Sequence, residues 1–144
     1  MSNMETDKSR PSMEQTGNTP SVIGDCKNPK CSRPGGPHCT CRIRELNDRL
    51  RMEGQGGMVV MTNGIAALGL PTVNAIFKAI AGFSAFFGDN DPHGEHDCAV
   101  MEAEGHPIIW KIDYYDRSRT YHSPDAANPK LTVRVLTVML AEEY

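Results

Sequence analysis

GDNDPHGEHDCAVMEAEGHPIIWKIDYYD, residues 88–116, divides into two kinds of chain, and that division decides the reading of the whole protein. In its second half Ile108, Trp110, Ile112 and Tyr114 alternate with Ile109, Lys111, Asp113 and Tyr115, the period of a strand with one face buried. Cys98 to Ala103 reads as a second strand, and Glu104-Gly105 as the tight turn joining the two in an antiparallel hairpin over 97–115. The first half is different. Asp89, Asp91, Glu95, His96 and Asp97 fall within nine residues with Pro92 and Gly94 among them, a composition that favours a turn over a helix or strand. The sequence therefore predicts an acidic loop pinned to a sheet.

Upstream, Pro71 opens a helix whose apolar positions Val73, Ile76, Phe77, Ile80 and Phe83 recur at helical spacing, with Gly88 as its stop after Phe86 and Phe87. Before it, Ile65 to Leu68 forms a brief helical turn after Asn63-Gly64, and Met58 to Thr62 (MVVMT) is short and β-branched enough for a buried strand. Gly54, Gly56 and Gly57 resemble a phosphate-binding loop only superficially: no Lys-Ser/Thr pair or helix follows, and a plain turn is the better reading. Ile43, Leu46 and Leu50 predict a short amphipathic helix, with Arg44, Glu45, Asp48, Arg49 and Arg51 on its exposed side. Downstream, 116–129 is loop by composition. Asn128-Pro129 is a helix-start signal, so a terminal helix is expected there, with Leu131, Val135, Val138 and Met139 on its apolar face; the Thr and Val content of LTVRVLTVML would also suit a strand. The fold class expected is α+β: a small antiparallel sheet packed with two or three helices, in a single domain over 43–144.

The N-terminal part is of another character. Residues 1–25 hold almost no large apolar side chain before Val22 and Ile23 and are expected to stay disordered, since they cannot offset their ordering entropy. CKNPKCSRPGGPHCTC follows, with Cys26, Cys31, Cys39 and Cys41 able to close a tetrahedral zinc site and His38 able to replace one thiolate. Thiols in a flexible linker are the alternative, and a structural zinc is the one cofactor the sequence suggests. The chain has no run of about 18 apolar residues, and MSNMETDKSR lacks the apolar core of a signal peptide. A cytoplasmic protein is expected, with its five cysteines reduced or ligating metal.

Charge narrows the partners. Residues 89–144 carry 11 Asp and Glu against 5 Lys and Arg, a net of −6, whereas residues 1–88 carry a net of +3. The acidic half is a poor surface for a phosphate backbone, which needs clustered Lys and Arg, but it can engage a basic protein. Neither nucleic acid nor a membrane is indicated. A divalent-metal site could draw on Asp91, Glu95, His96 and Asp97 from the loop with Asp113 or Asp116 from the strand end, and activate water. The plainer reading has these side chains capping turns, with His96 a buried structural histidine. Trp110, Tyr114 and Tyr115, with Tyr121, are candidates for an aromatic stacking platform, against the commoner use of such residues in packing. Cys98, at a strand start, reads as packing rather than as a nucleophile.

IRELNDRLR, MTNGIAALG, NDPHGEHD, WKIDYYD and RVLTVMLAEEY, in that order between Ile43 and Tyr144, resemble a bacterial family of unknown function, found mostly in proteobacteria and often on mobile elements. The resemblance implies a domain and supplies no catalytic residues; the family pattern has aromatic residues where this chain has His93 and Cys98. Together these readings favour a non-catalytic protein-interaction module, a regulator or inhibitor carried by mobile elements. The alternative is a divalent-metal-dependent hydrolase of phosphoester or nucleotide substrates.

Overall fold

A computed structural model of the chain describes Cys31 and residues 36–144. The expected disordered tail over 1–25 and Cys26, one of the expected zinc ligands, lie outside the described residues. In chain order the elements are α1 (Thr40–Glu53), β1 (Met58–Met61), α2 (Asn63–Ala66), α3 (Leu70–Ala81), β2 (Cys98–Ala103), β3 (His106–Tyr115), β4 (Val133–Leu140) and a terminal 3₁₀ turn, Ala141–Glu143. The strands form one sheet in the order β1-β4-β3-β2. The α+β class is confirmed, but the sheet is mixed: β2-β3 and β3-β4 are antiparallel, and β1 joins β4 in parallel.

The hairpin forms as its alternation requires. Ala103 pairs with His106, and the two residues between them have φ of 53° and 78°, the double left-handed turn that matches strand twist. On the inner face Ile108, Trp110 and Ile112 meet Leu136 and Val138 of β4 and Ala99 of β2. The helices close this face with Leu50, Ile65, Val73, Ile76 and Ile80.

Three expectations are corrected. The expected terminal helix is β4, the central strand. Its inward set is Arg134, Leu136 and Val138, at period two, and a place between two partners lets β-branched residues prevail over the helix-start signal. Asn128-Pro129 makes a local turn instead, with Asn128 Oδ1 accepting from Lys130 N–H at 2.9 Å. Second, β1 is not buried. It is an edge strand whose four residues are 38–45% exposed. The glycines before it serve close approach, because a Cβ at Gly57 would lie 2.5 Å from the Arg134 carbonyl oxygen. Third, α3 ends at Ala81, so Phe83, Phe86 and Phe87 are not helical. Arg51 explains the stop. Its Nη1 donates to the carbonyls of Ile80, Ala81 and Phe83 at 2.8, 3.1 and 3.0 Å, satisfying helix-end acceptors with a cation at the negative end of the dipole. Arg51 is thus buried rather than on the exposed side of α1.

The 2.0-residue strand period gives the outer face as well. Register places Val100 beside Ile109, Lys111 beside Thr137 and Val60, and Asp113 beside Val135 and Met58. Val100 is 70% exposed, Met58 41% and Val60 38%, so this side of the sheet is left partly bare.

Candidate functional site

The acidic loop runs from α3 to β2, and its polar groups divide into two sets. Asp91, buried, accepts at Oδ1 from the backbone N–H groups of Glu95 and His96, both at 3.1 Å. These bonds fold the loop back on itself and hold His96 at φ 54°. The His96 ring then lies between two carboxylates: Nδ1 is 2.9 Å from Asp48 Oδ1 and Nε2 is 3.7 Å from Asp91 Oδ2. It stacks on Phe86 with centroids 3.8 Å apart. Asp48 also accepts from Arg51 Nη2 at 2.9 Å. Both ring nitrogens of His96 face the protein, which suits a bracket between α1 and the loop.

Glu95 belongs to a second bracket. Tyr114 Oη donates to Glu95 Oε1 at 2.9 Å and accepts from Asn47 Nδ2 at 2.8 Å. Asn47 Nδ2 also donates to Glu95 O at 2.9 Å, while Asn47 Oδ1 accepts from Arg134 Nε at 2.7 Å. The Arg134 guanidinium, 2% exposed, sits 4.9 Å from the Tyr114 ring centroid. Burial pulls its pKa down to about 10, against the charges of Tyr114 and Glu95, and the same burial pushes the Tyr114 hydroxyl up, with Glu95 adding to it.

Asp97 turns the other way. The last rung of the hairpin is Ile112 N–H donating to Asp97 O at 2.7 Å. Beyond it the loop after β3 folds back along the same edge, with Ser123 N–H donating to Tyr114 O at 3.0 Å and Asp116 N–H to Tyr121 O at 2.8 Å. Between these two pairings lies a cleft of about 340 Å³, lined by Asp97, Asp113, Tyr114, Tyr115, Tyr121 and His122, among others. Among the described residues the Asp97 carboxylate meets no donor except its own backbone N–H. Burial raises its pKa, and the charges of Glu95 and Asp91 raise it further. Asp113 engages Lys111 at 3.0 Å, an ion pair that lifts the lysine pKa chiefly through that hydrogen bond.

The six carboxylate and histidine candidates are therefore not one site. Asp91, Glu95 and His96 face α1 and β3, whereas Asp97 and Asp113 face the cleft. Asp116 stabilises its own turn, accepting from Ser118 Oγ at 2.8 Å and Thr120 N–H at 3.0 Å; these bonds, the Thr120 amide foremost, lower its pKa. Among the described residues no three His, Cys, Asp or Glu side chains are grouped to hold a metal ion. The aromatic platform is corrected too: Trp110 is wholly buried, 6.2 Å from Phe83 and 6.1 Å from Phe86 between ring centroids, and Tyr114 and Tyr115 are joined at the cleft by Tyr121 instead. Cys98 lies at the surface, but partial desolvation of its thiol, with the charges of Asp97 and Asp91, raises its pKa, which disfavours the thiolate a nucleophile needs.

In the Cys-rich segment, Cys31 and Cys39 are buried with their sulfurs 3.6 Å apart, packed with Ile43, Ala126 and Ala127. Cys41 is partly buried and packs on the same cluster. His38 Nδ1 accepts from Ala126 N–H at 3.4 Å, while its own backbone N–H donates to Asp125 Oδ1 at 2.8 Å.

Asn47, Asp48 and Arg134 escaped the sequence reading. For Asn47 a signal was present, since it lies four residues after Ile43 and three before Leu50, on the apolar face of α1. Arg134 was hidden by reading its strand as a helix.

Fold and site define a small α+β domain with an internal polar bracket and a separate open cleft. The chain belongs to the family described as Protein of unknown function (DUF3768), whose model matches residues 61–143. No curated protein and no solved structure matches it. No helix among the described residues is long and apolar enough to cross a membrane.

Proposed function

We propose that the chain is a non-catalytic protein-interaction module acting in the bacterial cytosol, a regulator or inhibitor carried by mobile elements, and that it docks a protein partner on the outer face of its sheet. The observation that carries this is the partly bare outer face: Val100 stands 70% exposed beside Ile109, and at the far edge Met58 and Val60 are 41 and 38% exposed, although Met139 of the same face is buried and β1 is exposed on both its sides. A folded sheet face is ordinarily covered or polar. The cleft opens at the β3 end of that face, and residues 89–144 carry a net charge of −6, so the partner expected is apolar at the contact and basic around it. The side chains that could have done acid-base work, His96 above all, are engaged in holding the fold. The alternative, a divalent-metal hydrolase, needs three or more ligands on one ion, a grouping not found among the described residues.

The test is recovery of a stoichiometric partner from a host lysate by the wild-type chain, by Val100→Glu and by Leu70→Glu. Leu70, also 70% exposed, lies at the start of α3 and serves as the control. Loss of the partner with Val100→Glu alone supports the reading, and equal recovery by both variants overturns it.

The zinc expectation is carried forward as part of the same proposal. The 3.6 Å Cys31–Cys39 separation is close to the edge of a tetrahedron of 2.3 Å Zn–S bonds, roughly 3.8 Å. Cys41 is not grouped with that pair among the described residues, so its side chain would have to turn towards them to join Cys26, taken from sequence alone, as the remaining ligands. About one zinc per chain is expected, lost in Cys39→Ser, Cys41→Ser; unchanged zinc in that variant places the metal elsewhere.

A further inference from the structure

We infer that the cleft between Asp97 and the 116–123 loop is a receptor for a guanidinium group, an arginine side chain presented by the protein partner. The inference rests on the interaction reading above and specifies the chemistry that the open edge of β3 recognises.

Three observations converge on it. The first is an incomplete carboxylate. Asp97 is half-buried, has only its own N–H as a donor among the described residues, and stands in the field of Glu95 and Asp91. A carboxylate removed from water ordinarily has donors to replace the lost hydration, and one without them is costly; a cation brought by a ligand would supply them. The second is the wall. Tyr114, Tyr115 and Tyr121 line the same cleft; Arg134 already lies over the Tyr114 ring, which leaves Tyr115 and Tyr121 to attract a ligand cation electrostatically. Tyr121 is 72% exposed, so its ring is a surface feature available to a ligand. The third is the distribution of positive charge. Lys111 is paired with Asp113, and Arg119 is turned to the other edge of the sheet, 3.6 Å from Met58 Sδ. His122 is the remaining basic group in the lining and packs edge-on to Tyr114 at 6.2 Å. His93, outside the lining, acts on Asp97 only through its charge and is the weakest of the influences on it, and no described cation is bonded to the carboxylate.

The shape of the lining selects between the two natural cations. Guanidinium is planar, stacks on aromatic faces and presents parallel N–H groups to carboxylates, whereas ammonium is a compact, strongly hydrated point charge. An open cleft of about 340 Å³ with tyrosine walls and carboxylates from β3 and from the loop just before β2 has room for a side-chain head group and too little for a folded segment. The neighbouring bare sheet face would carry the rest of the contact, the arginine setting its register.

The experiment is an amide chemical-shift titration of the full chain with arginine methyl ester, lysine methyl ester and citrulline methyl ester, the last carrying the same α-amino group but a neutral isostere of the arginine side chain. Saturable shifts at Asp97, Asp113, Tyr115, Tyr121 and His122 are expected with the arginine ester in roughly the millimolar range, weaker ones with the lysine ester, and none with the citrulline ester. Asp97→Asn is expected to weaken binding about tenfold, and Tyr121→Ala to weaken the arginine ester more than the lysine ester. Absence of saturable shifts, equal response to citrulline, or tighter binding of lysine each overturns the assignment. Failure here together with partner loss in Val100→Glu would remove the arginine receptor and leave the docking face standing. Binding of the arginine ester with partner recovery indifferent to Val100→Glu would do the reverse.

Discussion

His96 and Asp97 are neighbours in sequence, and the structure puts them to opposite uses. The His96 ring is held between Asp48 and Asp91 and stacked on Phe86; the Asp97 carboxylate lines an open cleft with no bonded cation among the described residues, His93 acting on it only through its charge. One residue of separation is enough because the chain passes from a left-handed turn, φ 54° at His96, directly into the hairpin. A dense run of ionisable residues looks like one site in sequence, yet half of it can be fastening and half surface. Partnership distinguishes the two, since a ring with one nitrogen hydrogen-bonded and the other facing a carboxylate of its own fold has little left for a ligand.

The comparison breaks most readily at Asn47. Its amide bonds Arg134, Tyr114 and the Glu95 carbonyl at once, so Asn47→Ala leaves several buried groups unsatisfied at about 1–3 kcal/mol each. A loss of about 3 kcal/mol or more in denaturant unfolding is expected. A smaller loss, under about 1 kcal/mol, would mean that the bracket does not hold the loop.

Next comes the pair itself. His96→Ala takes one partner from Asp48, which keeps Arg51, and the ring from Asp91, which keeps its two backbone donors, and also removes the stack on Phe86; it is expected to cost about 1–3 kcal/mol. Asp97→Asn is expected to cost nothing at neutral pH and to stabilise the fold slightly. The sign follows from linkage: burial, then Glu95, raises the Asp97 pKa above 3.8, so the folded state binds the proton more readily and Asp97 opposes folding once it is ionised in both states. That opposition is complete above the folded pKa and fades as pH falls towards the unfolded value of 3.8. The advantage of Asp97→Asn in unfolding midpoint should therefore shrink between neutral pH and about pH 4. An advantage that grows on acidification contradicts the raised pKa.

Much of this was legible in sequence and some of it could not have been. The hairpin was, because alternation over Ile108 to Tyr115 and the Glu104-Gly105 turn are local signals agreeing with each other. β4 was not, because LTVRVLTVML satisfies both periods and its place between β1 and β3 is a long-range fact. The loop was recognised as acidic and turn-rich, but its division was invisible: which way Asp97 faces depends on where β2 starts and on the return of residues 116–123 along β3. The buried Trp110 shows the same limit, since alternation gave its face but not the helices that cover it.

The smallest expected effect is at Asp113, and it sharpens the comparison by removing a candidate from the inward set. Sequence position alone puts Asp113 with His96 at the loop end of the strands, which would make both more important to the fold than Glu102 and Glu104 at the turn end. Strand parity puts it on the outer face instead, where its carboxylate reaches Lys111 at 3.0 Å with side chains 35 and 38% exposed. A pair so exposed gains little, typically about 0.2–1 kcal/mol, and is screened by salt. Asp113→Asn should therefore fall within about 1 kcal/mol of wild type and close to Glu102→Gln, an exposed surface change expected to stay within about 0.5 kcal/mol. Raising the salt concentration should narrow the difference between Asp113→Asn and wild type while leaving that of His96→Ala largely in place. If Asp113→Asn instead costs as much as His96→Ala, Asp113 supports the fold through contacts beyond Lys111. The cleft would then be part of the bracket, and the division between the two halves of the loop would disappear.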